Sequence, residues 1–76
     1  MEFAVTLSSV SDVKIFVDTV TAYPYDVDVL AGRYVVNGKS IMGLFSVDLS
    51  KPVVIRLEKD GAEAEELKEK LATYLN

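Results

Sequence analysis

The sequence predicts an α+β domain in which one antiparallel sheet is covered on one side by helices. Three observations predict it. Short segments alternate apolar and polar residues with the period of a half-buried strand, as in Phe3, Val5, Leu7 and in Tyr25, Val27, Val29. Other segments repeat apolar residues at helical spacing, most clearly Ala64, Leu67, Leu71 and Tyr74. The order that results is strand, helix, two strands, short helix, strand, helix. Every element then has one apolar face to cover, and a single sheet with helices on one side covers them all.

The first strand runs from Phe3 to Leu7 and is interrupted by Ser8, Ser9 and Ser11. Two periods compete over Asp12 to Ala22. Val13, Phe16, Val17 and Val20 fit one face of a helix, whereas Val13, Ile15 and Val17 alternate as in a strand. Six β-branched residues between Val13 and Thr21 add weight to the strand. Ser11 as an N-cap and the stop at Tyr23-Pro24 favour the helix. Strands follow over Tyr25–Leu30 and Tyr34–Val36, joined by the hairpin loop Ala31-Gly32-Arg33, where Gly32 supplies a positive φ. Ser40 to Phe45 has room for one or two helical turns with Ser40 as N-cap. Pro52 opens the strand Val53–Leu57, where a missing N–H does least harm. Asp60-Gly61-Ala62-Glu63 reads as a capping box that starts the last helix, with Glu66 and Lys70 paired on its exposed side.

The 76 residues are read as one domain, residues 1–76. A chain of this length buries only about 60% of its unfolded surface, so a few kcal/mol of stability is expected. With no cysteine, disulfides and thiol catalysis are excluded; with no histidine either, no metal site and no cofactor are expected. The net charge of −4 argues against a nucleic-acid partner. No apolar run approaches the ~18 residues of a membrane span. Met1-Glu2-Phe3 does not begin a basic-then-apolar leader, so a cytoplasmic location is expected.

The run Asn37-Gly38-Lys39-Ser40-Ile41-Met42-Gly43-Leu44-Phe45-Ser46 resembles the regulatory-serine segment of HPr, the small phosphocarrier of the bacterial sugar phosphotransferase system. The resemblance extends from about Tyr23 to Leu75. It implies an HPr-like open-faced β-sandwich: a four-stranded antiparallel sheet with three helices packed on one face, in the order β-α-β-β-α-β-α. It also implies a phosphohistidine at the start of the first helix, within Gly-(Leu/Ile)-His-Ala-Arg-Pro-Ala. An ungapped count back from Ser40 puts that position at Ser9. The loop here reads Ser8-Ser9-Val10-Ser11-Asp12, without the histidine, the arginine or the proline, and the first strand aligns only if the loop is shortened. Ser9 is therefore a degenerate phosphohistidine position, and no general base in the loop would activate its hydroxyl.

The resemblance implies more at Ser40. A dedicated kinase phosphorylates this serine in some Gram-positive members, and the catabolite-repression HPr keeps the serine while lacking the histidine. The plain reading of the residue itself is a helix cap worth about 1 kcal/mol. Lys39, Ile41, Met42 and Phe45 match the family's partner-binding patch; the alternative is a solvated lysine and apolar residues that fill the core, which is the expected place for Leu44. A serine cluster at Ser8, Ser9 and Ser11 has two readings, a weak anion cradle or plain loop and cap residues. No catalytic site is expected. The partners implied are proteins: an HPr kinase or a transcriptional regulator. The leading reading is a regulatory binding module switched at Ser40, and the alternative is a diverged structural or scaffolding domain.

Overall fold

The computed structural model describes residues 1–75 and contains β1 (Glu2–Val5), α1 (Val10–Thr21), β2 (Val27–Ala31), β3 (Tyr34–Asn37), α2 (Ile41–Phe45), β4 (Val53–Leu57) and α3 (Ala62–Lys70), followed by a 3₁₀ turn at Ala72–Tyr74. The four strands form one antiparallel sheet in the order β1-β4-β2-β3. The expected element order and α+β class therefore hold. One face of the sheet carries Phe3, Val5, Val27, Val29, Val53, Ile55 and Leu57, all buried. The helices supply Val13, Phe16, Val20, Leu44, Ala64, Leu67 and Leu71 to the same core. Each large side chain buried there contributes roughly 1.5–3 kcal/mol, which is how a short chain reaches a stable fold.

The helix over Val10–Thr21 decides the competition between the two periods. Val13, Phe16 and Val20 are buried on one stripe, and Ile15, which only the strand pattern needed inside, is exposed. Burial of a helical stripe against the sheet outweighs the local cost of β-branched residues. Thr19 turns its hydroxyl back to the Ile15 carbonyl (2.7 Å). The cap is Ser9, not Ser11: the Ser9 hydroxyl accepts the Asp12 N–H at 3.1 Å, and the helix starts two residues earlier than expected.

Three further expectations shift. The hairpin loop contracts to Gly32-Arg33, because Ala31 pairs with Tyr34, and Gly32 takes φ 62° as the tight turn demands. The first strand ends at Val5, although Leu7 is still buried. The capping box at Asp60 does not form. Gly61 is the N-cap of α3 with φ 105° and no side-chain hydrogen bond, while the Asp60 carboxylate pairs with the Met1 amine at 2.8 Å. A charge partner distant in sequence took the carboxylate from the local cap. The Glu66–Lys70 pair forms as expected, at 3.5 Å.

Candidate functional site

Most residues of the segment from Asn37 to Leu44 have a structural task. The Asn37 side-chain carbonyl accepts the Lys39 N–H (2.8 Å) and its backbone carbonyl accepts the Ser40 N–H (3.0 Å), which turns the chain out of β3. Gly38 donates its N–H to the Val27 carbonyl at 2.7 Å. A Cβ at Gly38 would lie 2.9 Å from Val27 Cγ1 and 3.0 Å from that carbonyl oxygen, so only glycine permits the approach. Ser40 is the N-cap of α2, its hydroxyl accepting the Gly43 N–H at 3.2 Å. Gly43 keeps space beside that hydroxyl, since a Cβ there would stand 3.3 Å from Ser40 Oγ. Leu44 is fully buried and ties the short helix to the core.

Around that framework, Met42 is 76% exposed and Phe45 46% exposed, while Ile41 is half-buried against the core. The patch is thus a pair of projecting side chains with Ile41 at its base. Lys39 is half-buried and held by an internal contact. Its ammonium donates to the Tyr23 carbonyl at 2.6 Å and so closes the end of α1 onto the loop before α2.

The other half of the candidate site is the start of α1, where Ser9 stands exposed. Here Asp12 does what no residue of the sequence was expected to do. Its carboxylate accepts the Ser8 N–H and the Ser8 hydroxyl, both at 3.0 Å. The positive end of the helix is therefore occupied by the chain's own anion, at the place where an anion from outside would be stabilised. The Ser8 N–H, followed by the Ser8 and Ser9 side chains, holds the Asp12 carboxyl below its ordinary value of 3.8. A carboxylate so held is a poor proton acceptor, so its contact with Ser8 does not activate that hydroxyl. The sign of the linkage follows from the direction of the shift. The contact stabilises the helix start above pH 3.8 and is lost as pH falls through the lower folded value. In an NMR titration the Ser8 amide should move together with the Asp12 carboxyl, with a midpoint below 3.8; a midpoint at or above it would remove the contact from solution.

The two halves meet at a hollow of about 420 Å³. Leu7, Val10, Val13, Phe45 and Leu49 give it apolar walls, and Ser8, Ser9 and Ser50 stand at its rim. Phe45 is thus shared between the patch on α2 and the start of α1. Val10 and Leu49 went unnoticed in the sequence because each reads locally as loop filler, and only the tertiary fold sets them beside Phe45. Among the described residues no group of three or more His, Cys, Asp or Glu is placed to hold a metal ion, and no helix is long and apolar enough to cross a membrane.

Comparison with known proteins gives one answer. A family model described as the PTS HPr component phosphorylation site matches residues 12–76. The curated phosphocarrier proteins HPr of Neisseria meningitidis serogroups A and B are each 39% identical over 61 residues, covering 80% of this chain and 68% of theirs. Among solved structures, HPr from Bacillus anthracis superposes with a TM-score of 0.73 at 26% identity, covering all of this chain and 96% of that one. HPr-C-His from Thermoanaerobacter tengcongensis superposes with a TM-score of 0.75 at 23% identity, covering 96% of this chain and 92% of that one. The latter, below a quarter identical, bears on the fold alone. The family match begins at Asp12, the last residue of the altered loop, and so after Ser9.

Proposed function

Because the chain belongs to the HPr phosphocarrier family of the phosphotransferase system, we propose that it works there as a regulatory binding module and not as a carrier of phosphoryl groups. One observation carries the reading: the two halves of the site have diverged from one another. The start of α1 has no histidine, and its positive end is filled by Asp12. The segment that opens α2 keeps its serine cap, the glycine Gly43 that makes room for it, the glycine Gly38 that lets the chain approach Val27, and two exposed apolar side chains.

On this reading Ser40 accepts a phosphoryl group from an HPr kinase, and Ile41, Met42 and Phe45, with Lys39 beside them, form the surface that a protein partner reads. That partner is a component or a transcriptional regulator of the system, met in the cytoplasm. A phosphate on Ser40 would replace the hydroxyl cap with a dianion beside the unpaired amides of the first turn, and would change the field at the edge of an apolar patch. Binding partners sensitive to that field would be gained or lost. Ser40→Asp carries the charge without the three phosphate oxygens and should give a partial effect.

A second reading has its own observation. The Ser40 hydroxyl is already engaged by the Gly43 N–H, so the residue is sufficiently explained as a cap in a diverged structural domain. Incubation with an HPr kinase and ATP separates the two. One acid-stable phosphoryl group is expected, absent from Ser40→Ala. No modification of the wild-type chain, under conditions where a family member with the same serine is modified, would leave only the structural reading.

A further inference from the structure

We propose that the open face of the sheet is a self-association surface, on which a second copy of this chain packs about a two-fold axis parallel to the strands. The face opposite the helices is assembled by the strand register. Ala4 stands opposite Val54, Val54 opposite Leu30, and Leu30 opposite Val35. Directly paired residues of an antiparallel sheet share a face. None of these four lies among the buried residues of the helix-covered face; Val35 is 55% exposed and the other three are half-buried. An apolar row thus crosses all four strands on the side where an antiparallel sheet facing water normally presents polar residues.

Two residues further along each strand the same face carries a second row, Glu2, Arg56, Asp28 and Asn37. Arg56 and Asp28 are paired at 3.2 Å, and both remain substantially exposed. The two rows together select one occupant. A two-fold axis running between β4 and β2, along the strands, sets β4 over β2 and β1 over β3 of the second copy. Val54 then meets Leu30, and Ala4 meets Val35, so each apolar residue is covered by another. By the same operation Arg56 meets Asp28 of the second copy and Asp28 meets its Arg56, while Glu2 meets Asn37. No like charges are brought together. The intramolecular ion pair becomes a ring of four alternating charges, and two open sheets become an aligned sandwich.

The size of the face sets the strength. Four strands about 4.8 Å apart and four residues at about 3.3 Å each give a patch of roughly 19 by 13 Å, well below the roughly 800 Å² per partner of a standard interface. The dimer is therefore weak and reversible. The helices, Ser40 and the hollow lie on the other side of the sheet, so the association leaves that surface open and presents two copies of it. This inference does not depend on the reading of Ser40.

Analytical ultracentrifugation of the full chain, from micromolar to millimolar concentration, tests it. The weight-average mass should climb from 8.4 kDa toward twice that value. Val35→Lys, an exposed position where the fold is not at stake, should stay monomeric over the whole range. Arg56→Asp and Asp28→Arg should each weaken association at least tenfold, and the double exchange should restore it, with circular dichroism confirming the fold of every variant. A wild-type chain that remains monomeric at millimolar concentration would overturn the proposal. So would association that survives Val35→Lys, or association that is lost in Met42→Lys, since that would place the contact on the α2 patch.

Discussion

Leu44→Ala should leave the protein close to the limit of folding. Leu44 is fully buried where α2 meets the core, and it is the one residue of that helix with no exposed surface. Removing its branched end costs about 2–5 kcal/mol, through lost transfer energy and the cavity left behind. A domain of this size has only a few kcal/mol to lose. The short helix has no independent stability, so the effect should appear first at Ser40, whose capped turn is held down by Leu44. Urea or thermal unfolding checks the magnitude. The control is the neighbouring Met42→Ala, which removes a projecting side chain and should change stability by no more than about 0.5 kcal/mol.

Phe45→Ala should divide differently between folding and binding. A buried phenylalanine costs about 3–5 kcal/mol on truncation. Phe45, however, is nearly half exposed and packs only along the hollow formed with Leu7, Val10, Val13 and Leu49. A folding cost of about 1 kcal/mol is therefore expected. The same substitution should weaken partner binding by about 1–3 kcal/mol, as for an aromatic anchor at the centre of an interface. Thermal melts run beside a titration with a partner decide between the two. A folding loss as large as that of Leu44→Ala, with binding unchanged in the folded fraction, would return Phe45 to the core and remove it from the docking surface.

The fold was legible wherever a signal is local and repeats. The alternation at Phe3, Val5 and Leu7 marks three buried residues, and the stripe Val13, Phe16 and Val20 describes α1 correctly. The same is true of Ser40, whose capping role needs only the next three residues. Legibility failed where a residue's partner lies far along the chain. Asp60 looks like a cap until the Met1 amine takes its carboxylate, and Lys39 looks solvated until the Tyr23 carbonyl receives its ammonium. Ser11 is the cap of α1 that the sequence suggests, and Ser9 is the one that forms. The choice between them depends on Asp12, which serves Ser8 with its carboxylate and Ser9 with its N–H. The hollow beside Phe45 and the apolar row from Ala4 to Val35 are products of tertiary register, which no window of sequence contains.

The divergence of the two halves of the site is open to a direct test. The chain is incubated with the system's general phosphoryl donor enzyme and phosphoenolpyruvate, beside a histidine-containing HPr as positive control. Intact mass is recorded at neutral pH and again after acid treatment. The control should gain one acid-labile phosphoryl group, and this chain should show no change in mass, because it has no histidine and Asp12 fills the start of α1. An acid-labile adduct on this chain would contradict the central claim and restore it to the carriers.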